Sequence, residues 1–371
     1  MIRGKVVLDK KTKDLVKKIR QNQIAVIDHR DIDRTASKSL AEKKIKGVIN
    51  LSPSISGKYP NTGPLILLKN GIAVIDVESG DLFSILKDGD IITFKSGIIY
   101  KDGNKIGSGK KLTIDKTKDI IKTARNNLEI ELEKFIDNTL VYAEREKEII
   151  INISAPDIGF DFTGCHVLIV VRGADYKEDL EAIKSYIREM KPVIIAVDGG
   201  ADACLENGYY PDIIIGDMDS VSDRALQYAE KIVVHAYPEG KAPGLQRIKN
   251  LNLDYTLYPA PGTSEDIAMI LAYEKGAELI VAVGTHSHMI DFLDKGRPGM
   301  ASTLLARLRI GDRLVDAKGV SRLYRSKIHY HYWFQVLLAI FLPLLFISTF
   351  SPPIKQILQL LVIKFRLFFN R

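Results

Sequence analysis

Asp198-Gly-Gly-Ala-Asp202 and, after a helix-length gap, Pro211-Asp-Ile-Ile-Ile-Gly-Asp-Met-Asp-Ser220 share one pattern. In each, an apolar run (Pro192 to Val197, then Ile213 to Ile215) stops abruptly at carboxylates and glycines. Strands of a parallel sheet end this way at their carboxyl edge, and in open α/β sheets ligands bind in the crevice outside those ends. Asp198, Asp217 and Asp219 are therefore expected to converge on one pocket. Glycine lets the backbone approach a phosphate, and carboxylate oxygens suit hard Mg²⁺ carried in with a nucleotide.

The pattern continues on both sides. His166-Val-Leu-Ile-Val-Val-Arg172-Gly reads as a strand with a glycine turn, Lys177 to Met190 as a helix, and Lys231 to Val234, Tyr255 to Tyr258 and Leu279 to Val283 as further strands separated by helices. Such a βαβα series predicts a Rossmann-like parallel sheet with helices on both faces. Thr263 and Ser264 open one of those helices, with Glu265 and Asp266 in its first turn, as an N-cap followed by acids does. The helix amides there would also suit a phosphate. Gly284-Thr285 ends the last strand.

Upstream, Gln23 to Asp28 and Val48 to Leu51 read as strands, and Ser52 to Pro64 is a loop rich in hydroxyls, glycine and proline. That loop is compatible with a phosphate or carbohydrate site and with a plain turn-rich connector. Asp28, His29, Asp31 and Asp33 form a cluster whose members fit strand ends and helix caps as well as a metal. Between Leu65 and Gly109 the apolar runs are split by Asp-Gly and Ser-Gly turns, a β signal, so residues 1–112 are expected to form a β-rich α/β module. Its order of elements resembles the swivelling phosphohistidine domains of phosphoenolpyruvate-using enzymes, without their histidine motif. Residues 113–150 carry apolar side chains at spacings of three and four, from Ile121 to Tyr142, which predicts a helical connector.

The chain has 371 residues and a net charge of +7, unevenly spread. Residues 1–150 hold 29 Lys+Arg against 21 Asp+Glu, residues 151–330 hold 20 against 25, and residues 331–371 hold 4 against none. The lysines are interleaved with acids rather than set in a basic stripe with aromatics, which argues against nucleic acid as a partner. Cys165 and Cys204 lack any metal or redox spacing and read as buried hydrophobes in a reducing cytosol. Tyr332 to Phe350 is 19 residues without a charge, in the length range of a membrane-spanning helix. The seven Lys/Arg against two acids in 307–327 predict a single-pass protein of the cell membrane with its main domains cytoplasmic. An amphipathic segment follows Pro353, so 328–371 is expected to be a membrane anchor and 151–327 the α/β domain.

Asp198-Gly-Gly-Ala followed by Pro-Asp-x-Ile-x-Gly-Asp-x-Asp-Ser resembles the nucleotide-binding half of thiamin pyrophosphokinases, in which aspartates hold Mg²⁺ and ATP for pyrophosphoryl transfer to thiamin. Two of that family's motifs are altered: Thr263-Ser-Glu-Asp266 stands for Asp-x-Thr-Asp, and Gly284-Thr-His-Ser-His-Met289 for Gly-Gly-Arg-x-Asp-His. Across the whole chain, Ser54-Ile-Ser-Gly-Lys-Tyr-Pro-Asn-Thr-Gly-Pro64, Gly216-Asp-Met-Asp-Ser-Val-Ser-Asp223, Phe292-Leu-Asp-Lys-Gly-Arg297 and Leu314-Val-Asp-Ala-Lys-Gly-Val320 are similar to the SteA family. Those are cytokinetic ring proteins with a pyrophosphokinase-like domain and a C-terminal membrane segment.

The resemblance implies a Mg-nucleotide-binding protein of bacterial cytokinesis or cell separation, a homodimer with a membrane-associated division protein as partner. The alternatives are an active thiamine diphosphokinase and a non-catalytic division scaffold. On this reading Asp217, Asp219 and Asp266 are catalytic, and Asp198, Asp217 and Asp219 hold the metal. Asp198, Gly199, Gly200, Ser220, Thr263, Ser264, Gly284, Thr285 and Arg172 hold the nucleotide, ATP or another. Lys295 and Arg297 are further cations that could neutralise phosphates. His286 and His288 read as ordinary loop residues, since neither has a neighbouring acid in the motif itself.

Overall fold

A computed structural model describes residues 1–320, 330–350 and the positions 353, 356, 359, 360 and 362–364. Two compact units are distinguished, Met1–Ser321 and Arg322–Arg371.

The first unit begins with seven strands: β1 (Ile2–Leu8), β2 (Ile24–Ile27), β3 (Gly47–Asn50), β4 (Ala73–Ser79), β5 (Ile91–Lys95), β6 (Ile98–Lys101) and β7 (Asn104–Lys111). They close into a barrel in the order β1-β2-β3-β4-β7-β6-β5. The β1 to β4 half is parallel, and its crossovers carry the helices Thr12–Lys18, Arg34–Glu42 and Gly63–Lys69. The other half is antiparallel. Its two hairpins turn through Ser96-Gly97 and Asp102-Gly103, with φ of +50° and +81°, and +50° and +80°. Both central residues of a type I′ turn need positive φ, which is why these pairs match the strand twist.

Side-chain alternation shows the closure. Val6, Ile24, Val26, Ile49 and Ile75 fill the barrel with Ile92, Phe94 and Ile99, while Val7, Ala25, Ile27, Val48 and Val74 face outward beneath the helices. The β-rich α/β module expected over residues 1–112 is thus corrected to a closed seven-stranded barrel. The step that closes it is the antiparallel pairing of Ile2 through Lys5 with Phe94 through Ile91. That contact joins residues about as far apart as this domain allows, so no local pattern announces it.

The connector comprises the helices Ile114–Asn126 and Leu128–Asn152, broken at Asn127. Phe135 of the second packs on Phe292 at 6.1 Å between ring centroids, and Thr139 Oγ1 accepts from the Met300 amide at 3.1 Å, so the connector is docked on the domain that follows.

That domain holds β8 (His166–Val171), β9 (Val193–Val197), β10 (Ile213–Gly216), β11 (Lys231–Ala236), β12 (Thr256–Pro259), β13 (Leu279–Val283) and β14 (Leu314–Asp316). They form one sheet in the order β12-β11-β10-β9-β8-β13-β14, parallel throughout. Leu168, Val170, Ala196, Ile214 and Val234 point to one face; Val167, Ile169, Ile195, Val197 and Ile215 point to the other. Burial on both sides explains why these strands read as unbroken apolar runs.

The expected membrane-spanning helix over 332–350 is not upheld. Among the described residues no helix is long and apolar enough to cross a membrane. Tyr330–Phe350 is helical with Pro343 inside it. The single-pass placement at the cell membrane loses its support with it. Most of the amphipathic segment after Pro353, and the basic residues Arg322, Arg325 and Lys327, lie outside the described residues.

Candidate functional site

Asp198 follows β9 directly, with φ of +46° and its amide donating to the Ile215 carbonyl at 3.0 Å. This ties the ends of β9 and β10 together. Gly216, the last residue of β10, leaves room for that carboxylate: a Cβ there would lie 1.9 Å from Asp198 Oδ1. The next turn brings Met218 to φ +63°, a left-handed conformation that costs a residue other than glycine about 1 kcal/mol. Met218 is buried, and Asp217 and Asp219 on either side of it are exposed. The Met218 amide donates to Asp198 Oδ1 at 3.1 Å and the Asp219 amide to Asp217 Oδ1 at 3.1 Å.

The three acids sit in contrasting electrostatic settings. Burial, and after it the Asp217 carboxylate, pushes Asp198 well above the ordinary carboxylate range. Burial works in the same direction on Asp219, but the Lys13 ammonium and the Ser220 hydroxyl outweigh it and hold Asp219 at about 2.

Lys13 belongs to the barrel. Its Nζ lies 2.6 Å from Asp219 Oδ2 and 3.2 Å from Ser220 Oγ, across a cleft of about 1010 Å³ that the barrel and the sheet line together. The sheet side contributes Arg172, Asp198, Gly199, Asp217, Asp219, Ser220, Thr263 and Ser264. From the barrel come Lys10, Lys11, Thr12, Lys13, His29 and Lys43 among others. Thr12 Oγ1 and His29 Nδ1 are 2.8 Å apart, and His29 Nε2 is 3.5 Å from Asp33 Oδ2. Asp33 also caps the helix Arg34–Glu42 by accepting from Ala36 N at 2.8 Å.

Eight of the twelve residues expected from sequence thus face one cleft, and four do not. Asp266 is fully buried in a capping box: the Thr263 amide donates to Asp266 Oδ2 and the Asp266 amide to Thr263 Oγ1, both at 3.2 Å. Ser302 adds a hydrogen bond to the same oxygen at 2.8 Å. Burial, then the nearby Glu265 carboxylate, raises the Asp266 pKa. Gly200 lies behind the cleft, where a Cβ would come within 2.1 Å of the Val170 carbonyl oxygen. Gly284 (φ +68°) is equally confined: a Cβ there would lie 2.1 Å from the Val171 carbonyl oxygen. Thr285 is buried and accepts from Arg307 at 3.4 Å. Of the eight, Arg172 is engaged with Glu206 at 3.0 Å. Ser264 Oγ lies 3.1 Å from His235 Nδ1, while His235 Nε2 donates to the Ala260 carbonyl at 3.0 Å. Burial pushes the His235 pKa down, which favours the neutral ring, and the bond to the Ala260 carbonyl requires a proton on Nε2.

Several cleft residues were missed. Glu265 is buried and lies 3.1 Å from His286 Nδ1, and both line the cleft. The acid partner that His286 lacked in its own motif comes from the helix Ser264–Glu274, and His288 finds Asp291 at 3.3 Å. Only the Ser-Glu pair at the helix start could have signalled this. Nothing in the sequence pointed to Lys13.

Among the described residues no group of three or more His, Cys, Asp and Glu is arranged to hold a metal ion unaided. Asp217 and Asp219 remain as two exposed carboxylates, a donor set that matches Mg²⁺ held by one or two carboxylates plus substrate phosphates.

Comparison with known proteins agrees with the parallel α/β domain: residues 184–242 match the thiamin pyrophosphokinase catalytic domain. Residues 318–369 match the SteA-like C-terminal domain. The chain therefore combines a thiamin pyrophosphokinase-like domain with a SteA-like C-terminal domain. Among solved structures, thiamin pyrophosphokinase from Geobacillus thermodenitrificans is 23% identical over 40% of this chain and 58% of its own, with a TM-score of 0.26. This chain thus spans under two thirds of that protein. A 3-isopropylmalate dehydratase from Methanocaldococcus jannaschii is 14% identical over 36% of this chain and 98% of its own (TM-score 0.22). The MAf glycosyltransferase of Magnetospirillum magneticum is 14% identical over 70% and 46% (TM-score 0.25). No curated protein matches the chain.

Proposed function

We propose that the chain binds a nucleotide as its Mg²⁺ complex at the carboxyl edge of β9 and β10, and that this binding serves bacterial cytokinesis or cell separation. The observation that carries the first part is the turn Asp217-Met218-Asp219, in which a buried methionine sets two exposed carboxylates beside Asp198 inside the segment matching a pyrophosphokinase catalytic domain. Asp217 and Asp219 would hold the ion, which supplies charge neutralisation at the phosphates. Gly199 and Ser220 line the cleft beside them, and Thr263 and Ser264 open a helix whose first amides favour an anion.

Lys13 fits the same scheme. Its ammonium already neutralises Asp219, and on ligand binding it would transfer to a phosphate oxygen. The role in division rests on the SteA-like C-terminal match, with a division protein reading the nucleotide state and a homodimer as the working assembly. The test is calorimetry of the full chain with Mg-ATP, coupled to an assay for thiamin diphosphate. Binding that is lost in Asp217→Asn, without product, is the expected result. Turnover of thiamin would replace this reading with an active thiamine diphosphokinase, and no binding of Mg-ATP or Mg-GTP would leave a scaffold.

A further inference from the structure

The barrel wall of the cleft carries several lysines, with Asp28, Asp33 and Glu42 set among them. Lys10, Lys11, Lys13, Lys17 and Lys43 all line it and are exposed. Lys13 is engaged by Asp219 and Lys17 by Asp14. Lys10 rests over the Phe83 ring, and it, Lys11 and Lys43 form no ion pair among the described residues. On the sheet side Lys295 and Arg297 line the same cleft, also without a carboxylate partner among those residues. Five cations thus line one cavity without an ion-pair partner among the described residues, in a lining that also holds carboxylates.

Charges on low-dielectric cleft walls add into a field that concentrates ions of opposite sign and repels those of like sign. The cavity of about 1010 Å³ stands at the upper end of the ~300–1,000 Å³ usual for a single ligand, so there is space beyond the acids for a second anionic group.

We infer that the barrel wall holds a phosphate-binding subsite, centred on Lys10, Lys11 and Lys43, that takes a phosphoryl or polyphosphate group. The inference rests on the proposed nucleotide site opposite, which places the metal-bound phosphates at Asp217 and Asp219. The phosphate at the lysines comes either from the far end of the nucleotide's own tail or from a separate phosphorylated acceptor.

Tripolyphosphate is the probe, titrated calorimetrically into the full chain in metal-free buffer so that the acids cannot contribute through Mg²⁺. The expected result is binding that weakens at least tenfold in a Lys11→Glu, Lys43→Glu double variant and holds in Asp217→Asn. The milder Lys11→Gln, Lys43→Gln pair, less able to disturb folding, should show a smaller loss in the same direction. Affinity unchanged in both double variants overturns the inference. With Mg-ADP saturating, retained pyrophosphate binding would support a separate phosphorylated acceptor, and competition would support the nucleotide's tail. Tripolyphosphate binding through the lysines, alongside failure of every Mg-nucleotide to bind, would sink the nucleotide reading while leaving the phosphate subsite standing.

Discussion

On the sheet side of the cleft the charged groups are fixed by backbone. Asp198 is bonded to the Met218 amide, Gly216 is shaped to admit its carboxylate, and Met218 anchors the acids from beneath. On the barrel side, long lysine side chains reach in from an exposed helix and loop; Lys13 meets Asp219 in an ion pair between groups 41% and 48% exposed, and the Glu42–Lys177 and Lys38–Asp175 pairs join the two halves beside it. The first wall is built into the fold, and the second is laid over it. Substitutions in the sheet wall should therefore act through stability and proton affinity. Those in the barrel wall should act through ligand affinity and leave the fold nearly untouched.

The largest effect is expected at Gly200, behind the sheet wall. A Cβ there meets the Val170 carbonyl oxygen at 2.1 Å and its carbon at 2.9 Å, and neither can move without shifting β8. Gly200→Ala should lose about 3 kcal/mol, the upper range for overpacking a close-fitted site, measured as a lower urea midpoint. A loss below about 0.5 kcal/mol would show that this wall yields as readily as the barrel's.

Next comes Asp198. Its folded pKa is raised, by burial first and then by Asp217, so the native state holds a proton that the unfolded chain gives up at a lower pH. The stability linked to this group is greatest below the ordinary carboxylate range and declines as pH climbs from there towards the folded pKa. Asp198→Asn keeps an oxygen for the Met218 amide and removes the titration. It should raise the urea midpoint more at pH 8 than at pH 4, and should weaken Mg-ATP binding at both. Equal shifts at the two pH values would mean that Asp198 is not held protonated.

What the sequence reveals follows the same division. Each strand of the sheet is an apolar run buried on both faces and stopped by Asp or Gly, so the fold of that domain and the convergence of Asp198, Asp217 and Asp219 could be read directly. The barrel's hairpins were legible from Ser96-Gly97 and Asp102-Gly103, whereas its closure depends on β1 meeting β5, a pairing no local pattern encodes. Asp266 shows a different limit: an acid three residues after Thr263 is equally what a capping box needs, and that is the role it takes. The uncharged run at 332–350 satisfied a length rule, yet among the described residues no span is formed. Lys13 was silent because a lysine on an amphipathic helix reads as a solvated charge, and its partner lies 206 residues away.

The smallest effect tests the laid-over wall. An exposed ion pair contributes ~0–1 kcal/mol, since solvent screens the attraction and ordering two long side chains has an entropic cost. Lys13→Ala should therefore change stability at pH 7 by less than about 0.5 kcal/mol. Its signature is the acid limb instead. Asp219, held at about 2 mainly by Lys13 once burial has been offset, contributes stability that is present above the ordinary carboxylate pKa and lost as pH falls towards 2. Removing Lys13 should flatten that part of the stability profile by the same small amount and move Asp219 only part of the way towards its usual range, followed by NMR titration of its carboxyl carbon. It should also free a carboxylate for the metal, so that Mn²⁺ alone binds more tightly than to the unaltered chain. If Lys13→Ala instead destabilised the protein by several kcal/mol, the barrel wall would be as deeply built in as the sheet wall, and the contrast between them would fail.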